Sequence, residues 1–277
     1  MGSTWRLTCL LAAAFLTSPT EACAADAVDW RYSMGLHDLA VPDVGSDTFG
    51  INASASVDMR TAAGRHYFGS ADLFVDRDRD HLDPDHIPVW WMLHAGTDGT
   101  WLALGGNGHL GWTADADTRM NTTSSIERQI KLLSAVVLGY GGDAVQASLL
   151  AGVGWFFQEI DDDAPKERGF TREGLRHTTV AESWGGKVAA RLGGGWSLSG
   201  SARQWRDGDE WLETEYGAQL HLAADRWFKA SGSEFVLSVE VHEYNLDPYP
   251  HSAQGSAVLG WNDDLLIRLS CSLPWAR

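Results

Sequence analysis

From Thr48 to Val75 the chain alternates apolar and polar residues with a period of two, on either side of a short turn at Ala62-Ala63-Gly64. Before the turn Phe49, Ile51, Ala53, Ala55, Val57 and Met59 alternate with Gly50, Asn52, Ser54, Ser56, Asp58 and Arg60. After it Tyr67, Gly69, Ala71, Leu73 and Val75 oppose His66, Phe68, Ser70, Asp72 and Phe74. Side chains of a strand point to opposite faces in turn, so this segment predicts a hairpin with one apolar and one largely polar face.

The pattern recurs at Val28–His37, Trp101–Trp112, Val145–Phe157, Trp196–Trp205, Leu212–Leu222, Phe235–Tyr244, Ala253–Trp261 and Leu265–Trp275. It is weaker at Ile87–Ala95, Ile130–Tyr140 and Val180–Arg191, and Leu132 to Tyr140 also reads as a buried helix. Tight turns are expected at Ala63-Gly64, Thr97-Asp98-Gly99, Gly141-Gly142-Asp143, Gly193-Gly194-Gly195 and Asn262-Asp263. Longer polar segments lie between them at Asp76–His86, Ala114–Ser125, Glu159–His177, Arg206–Glu210 and Asn245–Ser252. Strands at even spacing without intervening helices, joined alternately by short turns and long loops, predict an all-β, antiparallel up-and-down barrel. Thirteen candidate strands is an odd number for a bacterial barrel, so the expectation is about 12–14, with faults at Asp225–Ser231 or near Ile87.

Met1 to Ala24 has the form of a secretory signal: Arg6, an apolar core from Leu7 to Leu16, and Ala22-Cys23-Ala24 before the cleavage point. The mature barrel domain is then 25–277. Removal of Cys9 and Cys23 leaves Cys271 alone, so no intramolecular disulfide is expected. The net charge of −16 argues against a nucleic-acid-binding surface. No apolar run reaches the length of about 18 residues that a spanning helix needs.

A soluble barrel buries its apolar face and a membrane barrel turns it to lipid. Two features favour lipid. Trp30, Trp101, Trp112, Trp155, Trp196, Trp205, Trp211, Trp261 and Trp275 stand near predicted strand ends, where membrane interfaces concentrate tryptophan. The polar face is also heavily charged, with Arg31, Asp58, Arg60, Asp72, Lys131, Lys187, Arg203, Glu213, Glu215, Glu240 and Arg268 inside strands. A secreted soluble β protein with a solvated outer face is the alternative.

The signal, the amphipathic strands, the tryptophan-rich ends and the last strand Leu265-Leu-Ile-Arg-Leu-Ser-Cys-Ser-Leu-Pro-Trp275 together resemble Gram-negative outer-membrane β-barrel proteins. The resemblance covers the mature chain and is to a class, with no specific family. It departs at the end, where Ala276-Arg277 follow the aromatic residue on which such chains often finish. It implies outer-membrane localisation, with surrounding lipid and lipopolysaccharide as partners. It also turns Phe49, Ile51, Val57, Met59, Leu73 and Val75 to lipid, puts the turn at Gly64 in the periplasm, and makes the acidic loop after Val75 external.

Candidate lumen-lining residues are Arg31, Asn52, Asp58, Arg60, Asp72, Lys131, Arg203, Glu213, Glu215, Glu240 and Arg268. The run Asp76-Arg-Asp-Arg-Asp-His-Leu-Asp-Pro-Asp85 offers Asp76, Asp78, Asp80, Asp83 and Asp85 as hard oxygen ligands for Ca2+. His81 stands where a calcium loop needs glycine, so a solvated charged loop is the competing reading. No other cofactor is expected.

Three functions follow. The first is a porin-like channel or exporter for small hydrophilic solutes. The second is an acyl hydrolase or transferase acting on outer-membrane lipid, and the third a plugged barrel for surface interaction. Catalysis needs a nucleophile with a base in reach. His251 and Ser252 are adjacent and would point apart on a strand, while Ser238, Glu240 and His242 share the polar face. No catalytic residue is assigned. His37, His66, His109 and His221 show no metal-ligand spacing.

Overall fold

A computed structural model describes residues 25–62, 64–77, 88–122, 124–160, 171–249, 259 and 261–275. Its twelve strands form one closed barrel in which each pairs with its sequence neighbours and β1 closes on β12. In order they are β1 (Ala25–Val41), β2 (Ser46–Thr61), β3 (His66–Asp76), β4 (Val89–Gly105), β5 (Gly108–Met120) and β6 (Ile126–Gly141). There follow β7 (Val145–Ile160), β8 (Arg176–Gly193), β9 (Trp196–Asp207), β10 (Glu210–Ala223), β11 (Glu234–Tyr244) and β12 (Asp263–Pro274). Every pairing is antiparallel. The shortest strands, β3 and β11, have 11 residues and the longest, β8, has 18, enough to cross a bilayer when tilted. Closure leaves no edge whose amide groups would go unpaired in lipid.

The outward face is apolar along its length. Met34, Ile51, Leu149, Val180, Leu198 and Leu269 are exposed, with Met34 71% and Leu149 65% accessible. Aromatic rings stand at both ends of this belt. Trp30, Trp101, Trp196 and Trp275 are exposed near the short-turn end, and Trp91 and Trp155 toward the other. An exposed apolar band between two aromatic girdles is the surface of a transmembrane barrel, because water would penalise it and lipid does not. Trp205 and Trp261 break the girdle expectation, being 0% and 9% exposed inside the barrel. Trp205 is on the inward face because it shares the parity of Arg203.

Four expected connections differ. Thr97-Asp98-Gly99 is the middle of β4, not a turn, and the true turn is Gly106-Asn107 between β4 and β5. Both turn residues have positive φ, 54° and 71°, as a two-residue hairpin turn requires. The segment Trp101–Trp112 is therefore the end of one strand and the start of the next. Ala114–Ser125 is not a loop, since β5 continues to Met120. Arg206–Glu210 is a two-residue turn at Gly208-Asp209, and Asn262-Asp263 ends a long connection from Tyr244. Leu132 to Tyr140 is strand β6, and Asp225–Ser231 carries the short helix α1 (Asp225–Phe228). The expected strand Ala253–Trp261 lies outside the described residues except Leu259 and Trp261, neither of which is in a strand.

Both described termini and the turns β2–β3, β4–β5, β6–β7 and β8–β9 share one end, which in bacterial barrels faces the periplasm. The longer connections, from Asp76 to Val89, Ile160 to Arg176 and Tyr244 to Asp263, leave and re-enter the strands at the other. There the lumen is filled: Val41, Ile126, Ile160, Leu175, Leu246, Tyr249, Leu259 and Trp261 pack as one apolar cluster across the mouth. Close packing inside also depends on glycine at Gly50. A Cβ there would lie 2.3 Å from the Val75 carbonyl oxygen and 2.5 Å from the His37 ring.

Candidate channel lumen

Beneath the mouth cluster the polar faces of opposite walls meet. Arg119 projects inward from β5, and its Nη1 donates to Tyr244 Oη at 2.9 Å on β11 and to Asp264 Oδ1 at 3.1 Å on β12. In a ring of twelve strands β5 and β11 face each other, so this contact spans the lumen. The Tyr244 hydroxyl and Ser124 Oγ both donate to Asp264 Oδ2, at 3.0 and 2.6 Å. A second bridge joins β6 to β10. Lys131 Nζ lies 2.6 Å from Glu215 Oε1 and 3.2 Å from Glu213 Oε2, while Gln129 Nε2 donates to Glu213 at 2.7 Å. His242 Nδ1 is 2.8 Å from the other Glu213 oxygen, and Trp205 Nε1 donates to Glu215 at 3.0 Å.

Arg203 on β9 reaches Asp115 on β5 at 3.4 Å, and Arg268 on β12 reaches Asp72 on β3 at 3.1 Å. Arg268 also pairs with Glu240 and donates to Ser238 Oγ at 3.1 Å. These groups are nearly dry: the Arg119, Lys131, Glu213 and Asp264 side chains are at most 5% exposed. An isolated charge at such depth would cost several kcal/mol, roughly, so pairing is what lets the layer form. Stacked Phe74 and Trp90, 3.6 Å between ring centres, seal one flank, with Arg119 over Trp90 and Arg268 over Phe74. Together these contacts form a charged septum across the long-loop half of the barrel.

On the short-turn side of the septum the lumen widens into a cavity of ≈ 720 Å³. Its walls carry His109, Gln146, Ser148, Lys187, Ser199 and Gln219, and Lys131, Arg119, Glu215 and Glu240 form its far end.

Of the candidate lumen residues, Asp72, Lys131, Arg203, Glu213, Glu215, Glu240 and Arg268 meet in the septum. Asn52 is buried on the inward face of β2, in register with Gly35 and Phe74. Arg31, Asp58 and Arg60 lie toward the short-turn end. Arg31 Nη2 donates to the Gly232 carbonyl at 2.6 Å, and Asp58 accepts from His66 at 2.6 Å and lies 3.6 Å from Arg60. Ser238, Glu240 and His242 share a face, yet Ser238 and Glu240 hold Arg268 while His242 holds Glu213. Asp76 is the last inward residue of β3, 2.8 Å from His37 Nε2 and 3.1 Å from Trp90 Nε1. Asp78, Asp80, Asp83 and Asp85 lie outside the described residues, as do His251-Ser252.

Sequence reasoning missed Arg119 and Asp115, which it had assigned to a loop, and Asp264, which it had placed beside a turn. Asp115, Asp117 and Arg119 alternate with Ala114, Ala116 and Thr118. That period of two was the available signal.

No family model and no curated protein matches the chain. Among solved structures it is similar to an outer-membrane channel from Pseudomonas putida F1, at 11% identity and TM-score 0.47, over 93% of this chain and 99% of that one. It is also similar to the NanC porin, at 9% identity and TM-score 0.46, over 89% and 99% of the two chains. A third is the translocator domain of the autotransporter NalP from Neisseria meningitidis, at 10% identity and TM-score 0.43, over 97% and 96%. The closed ladder, the apolar belt and the paired girdles make this protein an outer-membrane-type β-barrel.

Proposed function

We propose that the protein is an outer-membrane channel or exporter for small hydrophilic solutes, held closed here by the septum and the mouth cluster. The observation that carries this reading is the cavity of ≈ 720 Å³, walled by hydroxyl, amide and charged groups and ended by paired charges. A wall of this kind suits hydrated solutes, and substitutions on it would tune selectivity. Lipid and lipopolysaccharide are its surroundings, and an N-terminal signal over 1–24 would deliver it there.

A plugged barrel is the second reading, favoured by the apolar cluster around Tyr249 and Trp261. Planar-bilayer recording of the purified protein decides between them. The channel reading expects small or rare currents from the native protein and larger ones once Arg119→Ser and Asp264→Ser are combined. If that variant keeps heat-modifiable gel mobility and still passes no current across a range of salts, the barrel is a plugged one.

A further inference from the structure

We propose that His94 on β4, with Asp115 and Asp117 on β5, binds one divalent first-row transition-metal ion on the lumen wall. One ring nitrogen and one oxygen from each carboxylate lie within 4.8 Å of one another. The strand register builds this grouping: His94 stands directly opposite Asp117, and Asp115 is two positions along on the same inward face. Ligands about 2.0–2.2 Å from a zinc ion are at most about 4.4 Å apart, so small side-chain movements close the site.

Two further observations point to a cation. The Asp115 side chain is only 6% exposed, and its Oδ1 is buried with no hydrogen-bond partner. Its other oxygen is engaged, 3.4 Å from Arg203 and 4.0 Å from His94 Nε2. A buried carboxylate oxygen without a donor is costly, and a metal ion would satisfy it while Arg203 keeps its own contact. Charge gives the second argument. The carboxylates Asp115, Asp117, Glu213 and Glu215 face the permanent cations Lys131 and Arg203, so before His242 is counted four negative charges meet two positive ones. Even with a protonated His242 beside Glu213 the balance stays negative, which favours a cation.

The donor set selects the metal class. One imidazole and two carboxylates suit zinc or manganese, whereas calcium prefers six to eight oxygens. Entry is from the short-turn side. Asp117 borders the ≈ 720 Å³ cavity, and His94 borders a second of ≈ 620 Å³ near Asp58 and Arg60.

The test uses the full mature chain folded in detergent micelles and stripped with chelator. Titration with zinc chloride, followed by metal counting after gel filtration, should give one ion per chain, and manganese should compete. H94Q and D117N should each weaken binding at least tenfold, and E182Q, on the lipid-facing side of β8, should not. Zinc binding that is absent in the native protein, or unchanged in H94Q and D117N, overturns the site. Should D117N lose its heat-modifiable mobility, H94Q decides alone, because His94 is one third exposed. Binding in micelles does not require conduction, so this result stands apart from the bilayer recordings.

Discussion

Replacing Asp264 by alanine tests whether the septum holds the two walls together. The carboxylate accepts from Arg119 at 3.1 Å, from Tyr244 at 3.0 Å and from Ser124 at 2.6 Å. D264A removes the acceptor of all three bonds and leaves the Arg119 guanidinium, 4% exposed, without its counter-charge. Breaking a buried pair from one side costs about 3–5 kcal/mol, because the remaining charge stays desolvated. Replacing both partners with apolar groups of similar volume is close to neutral. Urea unfolding in lipid vesicles, followed by tryptophan fluorescence, therefore should show D264A destabilised by about 3 kcal/mol or more. Arg119→Met combined with Asp264→Leu should recover most of that loss. If D264A stays within about 0.5 kcal/mol of the native protein, the bridge is solvated and the septum is not a barrier.

Two other outcomes follow from the lipid face and the mouth. L149R puts a charge on an outward residue that is 65% exposed to lipid and should cost about 2–4 kcal/mol if the site is near the midplane. Arginine at Ser201, on the inward face beside the cavity, should cost far less in the same unfolding assay. Burial in the mouth cluster raises the Tyr249 phenol above its ordinary value. Below about pH 10 the phenol is neutral in both states, and above it the unfolded chain ionises first, so stability falls as pH rises. An absorbance titration of the native protein should be the same with and without Y249F over the range where exposed tyrosines ionise, whereas the two unfolded chains should differ by one tyrosine; one ionising tyrosine lost from native Y249F would refute its burial.

The faces of the strands were legible in the sequence because period two depends only on local backbone geometry. The hairpin from Thr48 to Val75 is β2 and β3 with the expected sides. The β4–β5 turn was hidden by a coincidence of phase. A two-residue turn alone reverses the alternation, but the register shift between Ala103 and Gly105 restores it. Leu102, Leu104, Leu110 and Trp112 therefore read as one strand, although Gly105-Gly106-Asn107-Gly108 was a turn signal in plain view. Contacts between opposite walls were not legible. Arg119 and Asp264 are 145 positions apart and meet only because twelve strands close with one particular stagger. The mouth cluster was hidden for a related reason: Leu246 and Tyr249 follow no strand period, while Leu259 and Trp261 keep a period of two yet pack inward from a connection instead of standing in a strand.

The off-centre position of the septum has an electrical consequence. Solution filling the cavity from the short-turn end conducts, so its floor and walls sit near the potential of that compartment. A voltage across the membrane is then dropped over the septum and the mouth cluster instead of the whole barrel length. Each elementary charge carried through the full drop is worth about 2.3 kcal/mol per 100 mV. The side chains best placed to feel that field are those bridging the walls, Arg119 and Asp264 first among them.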